Sequence, residues 1–400
     1  MNKKKWIIPV VGILVATNLL SFFAGNMLSL KLPNGKVIVS KEQDDNYKNF
    51  QQLFAVKDAL YKYYDGEIKD SVLLEGAVKG LTNSLSDPYT VFMNKKEYQD
   101  FNTQMDSSYS GVGLQVEAKG NDIIIVSAFD GSPAKKAGII SNDIIKKVDG
   151  KEVSGTNLDG AVALMKGKEG TEVTITLFRQ SKGSFDVKLK RQKIAIDTVK
   201  GEMLSDGLGY IQITMFGNST ADSFNKKLKE LKDKNMKGLL LDLRGNPGGS
   251  LEECVKITSN FIKKGDDVVY TIDKNGKKIV DKSEGGLAIG MPTVVLVDEG
   301  SASASEVFSG ALKDYKAATF VGKKTFGKGI VQQLFPASDG SAMKITIAKY
   351  YSPSGINIQK KGIQPDVEVT YPEDLKAKAY DRSTDPQFQK ALELLKGKVK

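Results

Sequence analysis

Two apolar strand patterns, each followed by a glycine-containing turn and a helical pattern, constrain the fold most. The first strand spans residues 238–243 and is followed by RGNPGG at 244–249. The second spans residues 293–297 and is followed by DEGSAS at 298–303. Continuous apolar strands that alternate with helices are typical of an α/β sheet covered on both faces. Glycines at the end of such a strand free backbone N–H groups that can bind an oxyanion, and a merely tight turn is the alternative explanation.

The absence of histidine limits the chemistry that these turns can support. The 400 residues contain no histidine and one cysteine, Cys254. A hydroxyl nucleophile therefore has no imidazole as its base, and a lysine amine kept neutral by a desolvating pocket is the available substitute. Ser-His-Asp and Cys-His arrangements and the commonest zinc ligand are excluded, so we predict a site without metal or cofactor. Cys254 falls in an amphipathic helical pattern and is interpreted as an inert thiol.

Two short motifs supply a serine and a lysine. Residues 300–306 read GSASASE, and residues 325–329 read TFGKG and contain Lys328. Ser303 and Glu306 also fit a capping box at the start of a helix. Capping does not explain why three serines alternate with alanine, and it does not explain the lysine motif. Both roles can coexist, because a helix amino terminus lends positive potential to an oxyanion.

Nucleotide and nucleic-acid binding are disfavoured. Residues 322–329 (GKKTFGKG) come within one residue of a phosphate-binding P-loop, but Gly329 replaces the Ser or Thr that holds magnesium. A strand pattern at 330–335 then continues where a P-loop begins a helix. The net charge of +10 comes from 58 basic residues, of which only four are arginine. Dispersed lysines that are not interleaved with aromatics favour a solvated surface, which could face anionic lipid or wall polymer, over base readout.

The amino terminus has the pattern of a membrane anchor. Residues 1–5 read MNKKK, and residues 6–30 carry no charge, which is long enough to cross a bilayer as one helix. The lysines place residues 1–5 in the cytoplasm. We predict a single-pass signal anchor at 6–30, a linker at 31–46 and the rest of the chain outside the cytoplasm at the cell membrane. A cleaved signal peptide is the alternative, but small residues that would mark a cleavage site are hard to find near 21–25.

Residues 47–108 are predicted to form a helical region. Apolar residues recur at helical spacing between residues 50 and 64, and a second amphipathic stretch runs from about 72 to 85 before Ser86-Asp87-Pro88. These helices are too short to be a stable domain alone. We expect them to pack on the body of the chain or on a second copy of it, as in a homodimer.

Residues 109–192 have the pattern of short strands separated by glycine. Strands are predicted at 114–116, 123–126, 144–148 and 173–178, and helices at 132–138 and 157–166. With GVGL at 111–114 and DIIKKVDG at 143–150, the segment resembles a PDZ domain. The resemblance implies a loop of Gly111, Val112, Gly113 and Leu114 whose amides bind a terminal carboxylate, beside a strand edge that accepts a peptide. A small β-rich domain without a peptide groove is the alternative.

Five features in this order closely resemble the carboxy-terminal processing (tail-specific) proteases, over about residues 47–372. They are SDPYT at 86–90, the PDZ-like segment, DLRGNPGG at 242–249, GSASASE at 300–306, and TFGKG at 325–329 followed by Gln332. The resemblance implies a multidomain protein of α/β and α+β type. A crotonase-like α/β protease core at 193–372 would carry an inserted PDZ domain, amino-terminal helices and the single transmembrane anchor. A polar helix or tail is expected at 373–400.

By the same resemblance, Ser303 matches the nucleophile, Lys328 the general base and Gln332 the residue that orients the lysine. The amide of Ala304 would form the oxyanion hole with that of Gly248 or Gly249, and the motifs do not decide between the two glycines.

The implied activity is that of a serine endopeptidase with protein or peptide substrates that have free carboxy termini. An acyl-enzyme would form on Ser303, and burial would have to lower the pKa of Lys328 from about 10.4. Two alternatives remain at this point. A membrane-tethered PDZ adaptor would leave the serine and lysine unused, and a lipophile carrier would have no need of them.

Overall fold

The computed structural model describes residues 45, 48–106, 108–129, 131–376 and 380–399. The chain separates into two compact units, one up to Ala77 and one from Val78 onward. Among the helices of the described residues, none has both the length and the apolar character needed to span a bilayer. The predicted anchor at 6–30 and all of the linker at 31–46 except Asp45 lie outside the described residues.

The first unit contains α1 (Gln51–Tyr63) and the beginning of α2 (Asp70–Asn83). Both helices lie where the apolar spacing predicted them. Apolar side chains of the two helices, including Phe54, Leu60 and Leu73, line a shared groove of about 230 Å³. No residue of α1 is buried, so the two helices leave apolar surface exposed.

The second unit begins with the end of α2, then β1 (Val91–Met93) and α3 (Lys95–Met105). A capping box starts α3. The Asn94 side chain accepts from the Glu97 N–H at 3.0 Å, and the Glu97 carboxylate accepts from the Asn94 N–H at 2.8 Å. These bonds satisfy amide groups that the first turn of a helix leaves without partners.

A small β-rich domain follows. Its strands are β2 (Ser108–Gly111), β3 (Leu114–Lys119), β4 (Asp122–Ala128), β5 (Ile144–Val148), β6 (Lys151–Glu152), β7 (Glu172–Arg179), β8 (Gly183–Lys190) and β9 (Gln192–Ala195), and its helices are α4 (Pro133–Lys136) and α5 (Leu158–Met165). The sheet order is β3-β4-β5-β7-β8, with β6 beside β5, and β2 pairs separately with β9. Val173, Ile175 and Leu177 of β7 are buried in alternation with more accessible residues, as expected for a half-buried strand. This domain has its own apolar core.

The largest sheet belongs to the α/β core. The core contains β10 (Val199–Met203), β11 (Leu208–Ile213), α6 (Thr220–Asp233), β12 (Gly238–Asp242), α7 (Leu251–Ser259), β13 (Asp267–Asp273), β14 (Lys278–Lys282), β15 (Thr293–Val297), α8 (Ala304–Asp314), β16 (Thr319–Gly322), β17 (Ile330–Pro336), β18 (Ala342–Tyr351), β19 (Val367–Glu368), α9 (Glu373–Lys376) and α10 (Pro386–Lys398). The six-stranded order is β10-β11-β12-β15-β16-β19, and every pair after the antiparallel β10-β11 is parallel. Apolar cores cover both faces of this sheet, and α10 packs on one of them.

The parallel pairing of β12 with β15 brings the two glycine-containing turns together. All five residues of each strand are buried, and Asp242 lies opposite Leu296 near their carboxyl ends. Ligand sites of such sheets form outside the carboxyl ends of the strands. The turns at 243–250 and 298–303 therefore meet at one edge.

A second, antiparallel sheet contributes the lysine motif. Strand β18 pairs with β17 on one side and with β1 and β13 on the other, and β14 extends the sheet beyond β13. Strand β17 begins at Ile330, directly after TFGKG. The strand continues where a P-loop would begin a helix, in agreement with the strand pattern used to argue against nucleotide binding.

Candidate active site

Ser303 occupies a strained turn immediately before α8. Its backbone has φ 55° and ψ −113°, a conformation that costs a non-glycine residue about 1–3 kcal/mol. The strand-to-helix turn with a strained serine resembles the geometry by which hydrolases expose a nucleophile above a sheet. Such strain persists only where the surroundings over-determine the backbone.

The two neighbouring serines supply part of that constraint. The Ser301 hydroxyl donates to the Leu243 carbonyl at 2.8 Å, and the Ser305 hydroxyl donates to the Asn246 carbonyl at 3.0 Å. Both side chains are fully buried and tie the serine turn to the turn after β12. Within the described part of the chain, no backbone carbonyl accepts a hydrogen bond from the Ser303 hydroxyl. Of the three serines, Ser303 is therefore the one whose hydroxyl donates to no backbone carbonyl of the described residues.

Glu306 joins the serine turn to the lysine motif, and we call the bonds of its carboxylate the Glu306 clasp. One oxygen accepts from the Ser303 N–H at 3.0 Å and the Lys328 N–H at 2.8 Å. The other accepts from the Thr325 hydroxyl at 2.5 Å and the Gly327 N–H at 2.7 Å. Glu306 is 1% exposed. The sequence identified Glu306 only as a helix cap, because capping is a local signal and the bonds to residues 325–328 are not.

The surroundings of Lys328 favour the neutral form of its side-chain amine. Its pKa is lowered, first by burial and second by the charge of Lys344, whereas Asp87 and Glu306 act in the opposite direction. The Nζ atom lies 4.7 Å from the centre of the Tyr89 ring. No carboxylate of the described residues forms a salt bridge with it. A lysine in such surroundings is suited to act as a base.

Ser303 and Lys328 line the same cavity but are not hydrogen-bonded to each other in the described structure. The hydroxyl of Tyr350 donates to the Lys328 carbonyl, and Tyr350 lines the same cavity as Ser303. Burial raises the pKa of Tyr350 well above its usual value, so Tyr350 stays a neutral phenol. Catalytic hydrogen bonds often tighten only when substrate is bound.

Gln332 contacts the lysine through Tyr89. The Gln332 side-chain amide donates to the Tyr89 carbonyl at 2.8 Å, and the Tyr89 ring in turn lies against Lys328 Nζ. The described structure has no hydrogen bond between Gln332 and Lys328 Nζ, so the orienting role that the family resemblance implies for Gln332 would act through Tyr89. Tyr89 belongs to the motif SDPYT at 86–90. This motif was the one sequence feature that could have indicated that Tyr89 lies in the site.

The two glycines of the predicted oxyanion hole differ in whether their backbone amides already have an acceptor. The Gly248 N–H already donates to Asn246 Oδ1 at 2.9 Å. The Gly249 and Ala304 N–H groups have no acceptor among the described residues. A Cβ on Gly248 would lie 2.8 Å from Ser303 Cβ and 2.9 Å from the Ala304 nitrogen, so this glycine permits close approach of the two turns. Gly249, rather than Gly248, has the amide available to an oxyanion.

The cavity at this edge has a volume of about 600 Å³. Its walls come from α3, the turn after β12, the start of α8, β17 and β18. Apolar side chains include Phe101, Leu251 and Leu334, and the charged ones are Asp106, Lys328 and Lys344. An extended peptide with apolar side chains suits these walls.

Arg244 links the turn after β12 to the segment before α10. Its guanidinium donates to Asp242 at 2.7 Å and to Asp385, just before α10, at 2.7 Å. Both carboxylates are buried. Removal of one partner from a buried ion pair is costly, so Asp385 supports the turn after β12, and α10 packs on the core.

The candidate carboxylate loop lies in the β-rich domain. Gly113 has φ +79°, and a Cβ there would lie 2.2 Å from Ser132 Cβ, so only glycine fits. The Val112 and Gly113 N–H groups have no acceptor among the described residues, and Leu114 begins β3 next to Gly111 at the end of β2. Free amides beside a strand edge are the features a terminal carboxylate requires.

The described residues contain no group of three or more cysteines and acids arranged as metal ligands. Cys254 is fully buried beneath α8, and its thiol donates to the Ala304 carbonyl at 3.0 Å. Burial raises the pKa of Cys254 to about 12, which agrees with its interpretation as an inert thiol.

Comparison with known proteins gives three family matches. Residues 207–369 match peptidase family S41, residues 124–179 match a PDZ domain, and residues 20–97 match the activating protease CtpB N-terminal domain. Carboxy-terminal processing protease CtpA of Bacillus subtilis (strain 168) is 38% identical, over 99% of this chain and 86% of the relative. Carboxy-terminal processing protease CtpB of the same organism is 35% identical, over 93% of this chain and 79% of the relative.

A solved structure shares the fold. The putative S41 protease from Bacteroides fragilis NCTC 9343 superposes with a TM-score of 0.52 at 15% identity, over 83% of this chain and 92% of that chain. An S41 core with an inserted PDZ domain is therefore the architecture. The chain belongs to peptidase family S41 and is a carboxy-terminal processing serine protease with a PDZ domain. The resemblance to this family that the sequence motifs indicated is confirmed.

Proposed function

We propose that the protein is a membrane-anchored endopeptidase that cleaves near the carboxy-terminal tails of its substrates with a Ser303/Lys328 dyad. The main observation in support of the dyad is that the three serines of the turn have different roles. Ser301 and Ser305 hold the backbone, whereas Ser303 lines a cavity that also contains Lys328, a half-buried lysine without an acidic partner among the described residues. This combination supports a nucleophile with an amine base.

The proposed reaction has two stages. In the first, Ser303 Oγ bonds to the substrate carbonyl carbon while its proton moves to neutral Lys328 Nζ. The resulting oxyanion accepts from the Ala304 and Gly249 N–H groups. The C–N bond then breaks, and the Lys328 ammonium gives its proton to the leaving amine. In the second stage Lys328 takes a proton from water, whose oxygen bonds to the acyl carbon; the bond from that carbon to Ser303 Oγ then breaks, and the Lys328 ammonium returns the proton to Ser303 Oγ.

One movement is required before this reaction can begin. Lys328 Nζ, which lies 4.7 Å from the centre of the Tyr89 ring in this structure, has to form a hydrogen bond with Ser303 Oγ. Because the Glu306 clasp fixes the backbone of Lys328, we propose that the side chain makes this movement.

The dyad is tested with the full chain and its Ser303→Ala variant on a panel of peptides and with a serine-directed fluorophosphonate. We expect cleavage and labelling by the parent protein and neither by the variant. Cleavage by Ser303→Ala at the parent rate would remove Ser303 from the mechanism. Peptide binding without any cleavage or labelling by the parent would favour a PDZ adaptor.

We also propose that the loop at 111–114 reads the free carboxylate of the substrate tail and that the PDZ domain gates access to Ser303. The Val112 and Gly113 amides, which have no acceptor among the described residues, support the first part, because charge-assisted hydrogen bonds contribute about 1.5–3 kcal/mol. The need to shield a neutral lysine from bulk water supports the second.

Amidation of the tail should weaken binding, and equal cleavage of acid-tailed and amide-tailed peptides at low concentration would contradict carboxylate recognition. Deletion of 109–192 should increase activity on short peptides if the domain gates.

For the location, we propose that residues 6–30 anchor the chain in the cell membrane with the protease outside the cytoplasm. The support is the uncharged run behind three lysines. The full chain should resist extraction by carbonate and be open to external protease. Release of a shortened protein that begins near residue 25–30 would contradict the anchor.

Finally, we propose that a second copy of the chain covers the apolar face of α1 and α2. Large apolar side chains on these helices are substantially exposed, such as Leu53 at 45% and Leu74 at 67%, and exposed apolar surface of this kind is typical of interaction sites. Sedimentation of the protein and of a Phe54→Glu variant tests this, and a monomeric parent protein would contradict it.

A further inference from the structure

Lys344 is a second lysine of the active-site cavity, and the dyad does not use it. It lies on β18, between Val91 of β1 and Leu334 of β17, and its side chain lines the same cavity as Ser303 and Lys328. The centre of the Phe101 ring lies 5.3 Å from its Nζ atom. Burial lowers the pKa of Lys344. A half-buried ammonium at this place is costly unless something compensates its charge.

No acid of the described residues compensates it. The structure records neither a salt bridge nor a hydrogen bond from Lys344 to a described residue. The nearby acids have other donors: Asp106 accepts from Asn218 Nδ2 at 2.7 Å, and Asp87 accepts from the Thr90 hydroxyl at 2.7 Å. Both oxygens of Glu306 are occupied in the Glu306 clasp. Since Lys328 has to be neutral to act as a base, Lys344 is left as the cation that the substrate meets.

We propose that Lys344 is a specificity-determining residue whose ammonium binds a carboxylate of the peptide substrate inside the active-site cavity. This inference rests on the proposed peptidase function. A carboxylate is the anion that unmodified peptides carry, either on an acidic side chain near the cleaved bond or at a free terminus close to it. A partially desolvated ammonium binds such a group more strongly than an exposed one does. The substrate thus supplies the counter-charge that the described residues do not provide.

The test uses peptides with acetylated amino and amidated carboxy termini, each with one Glu placed at successive positions around the cleaved bond. The matched peptides carry Gln instead, and a further arm has a free carboxy terminus. For the parent protein we expect a Glu/Gln ratio of kcat/KM of about ten at one position or more, as one charged hydrogen bond provides. Lys344→Met should bring that ratio towards one, and Lys344→Arg should retain most of it.

Lys349→Met is the matched control, because Lys349 lies on the same strand, is exposed and does not line the cavity. It should keep the parent ratio. If Lys344→Met affects only the free-terminus arm, the carboxylate bound is terminal; if it affects the Glu peptides, it is a side chain. Either result supports the proposal. A parent preference that Lys344→Met leaves intact, or parent ratios at or below one in every arm, would overturn it.

Binding separates this inference from the proposed reaction. Dissociation constants of the Glu and Gln peptides are measured on Ser303→Ala and on Ser303→Ala with Lys344→Met. Loss of the Glu preference in the double variant supports carboxylate binding even if the parent protein cleaves no peptide. Equal preferences in the two proteins contradict it even if the parent cleaves well.

Discussion

The serine turn and the lysine side chain form the two halves of the candidate site, and they are held in opposite ways. Around Ser303, buried hydroxyls and the Glu306 carboxylate fix the backbone with several hydrogen bonds. The Lys328 backbone is fixed as well, but its ammonium has an aromatic ring beside it and no acidic partner in the described structure.

The difference follows from what each half has to do. A nucleophile on a strained turn must keep its position, and strain persists only where many bonds oppose its release. A base must lose a proton readily, and a salt bridge would keep the lysine charged. The reaction therefore requires both a rigid backbone at Ser303 and a Lys328 side chain without an acidic partner. Substitutions can remove either of these two features.

The largest effect is expected when the side-chain amine of Lys328 is replaced. Lys328→Met and Lys328→Arg should each reduce kcat/KM by more than about a thousandfold, because one lacks a base and the other stays protonated. Peptide hydrolysis by purified variants measures this, with circular dichroism as a check of the fold. Substantial turnover by Lys328→Arg would show that the neutral amine is not required.

A second variant breaks the rigid half. In Glu306→Gln, two donors of the Glu306 clasp face an amide nitrogen instead of an oxygen, and a buried unsatisfied donor costs about 1–3 kcal/mol. We expect kcat to fall by about 10–100-fold, with a smaller change in KM. Glu299→Gln, on the exposed part of the same turn, is the control. Equal activity of the two variants would mean that the clasp does not position Ser303 and Lys328.

Gln332→Ala should have a smaller effect. It removes the hydrogen bond to the Tyr89 carbonyl, which is worth about 1 kcal/mol, and the ring beside Lys328 then becomes less fixed. We expect kcat to fall by about three- to tenfold with KM little changed. Loss as complete as that of Lys328→Met would instead indicate direct contact between Gln332 and the amine during the reaction.

The smallest expected effect is a shift in the pH dependence of kcat/KM. Neutral Lys328 is the active form, so kcat/KM should rise with pH through its folded pKa, which lies below the ordinary lysine value. The Lys344 charge helps to lower that pKa, while Asp87 and Glu306 raise it. Lys344→Met should therefore move the rise to higher pH. The measurement is a pH profile on a peptide without carboxylates, and an unmoved or lowered midpoint would contradict electrostatic coupling of the two lysines.

Much of the fold was predictable because it depends on local patterns. The apolar strands at Gly238–Asp242 and Thr293–Val297 and the helices after them follow from residue type and spacing. The lack of histidine narrowed the base to lysine, and the motifs indicated Ser303 and Lys328 as the pair. The domain boundaries outside the family matches, and the roles of individual site residues, stay predictions.

The tertiary structure decided which atoms meet. Sequence could not show that Ser301 and Ser305 hold the turn, or that Gln332 contacts Tyr89 from a distant part of the chain. Nor could it show that the Gly248 amide is already bonded while the Gly249 amide has no acceptor among the described residues. Nor could it place Lys344 in the cavity. Residue type and periodicity determine helices, strands and turns, because these depend on near neighbours. The partners of one buried hydroxyl, amide or ammonium depend on the packing of segments that are far apart in sequence, and only the folded chain settles them.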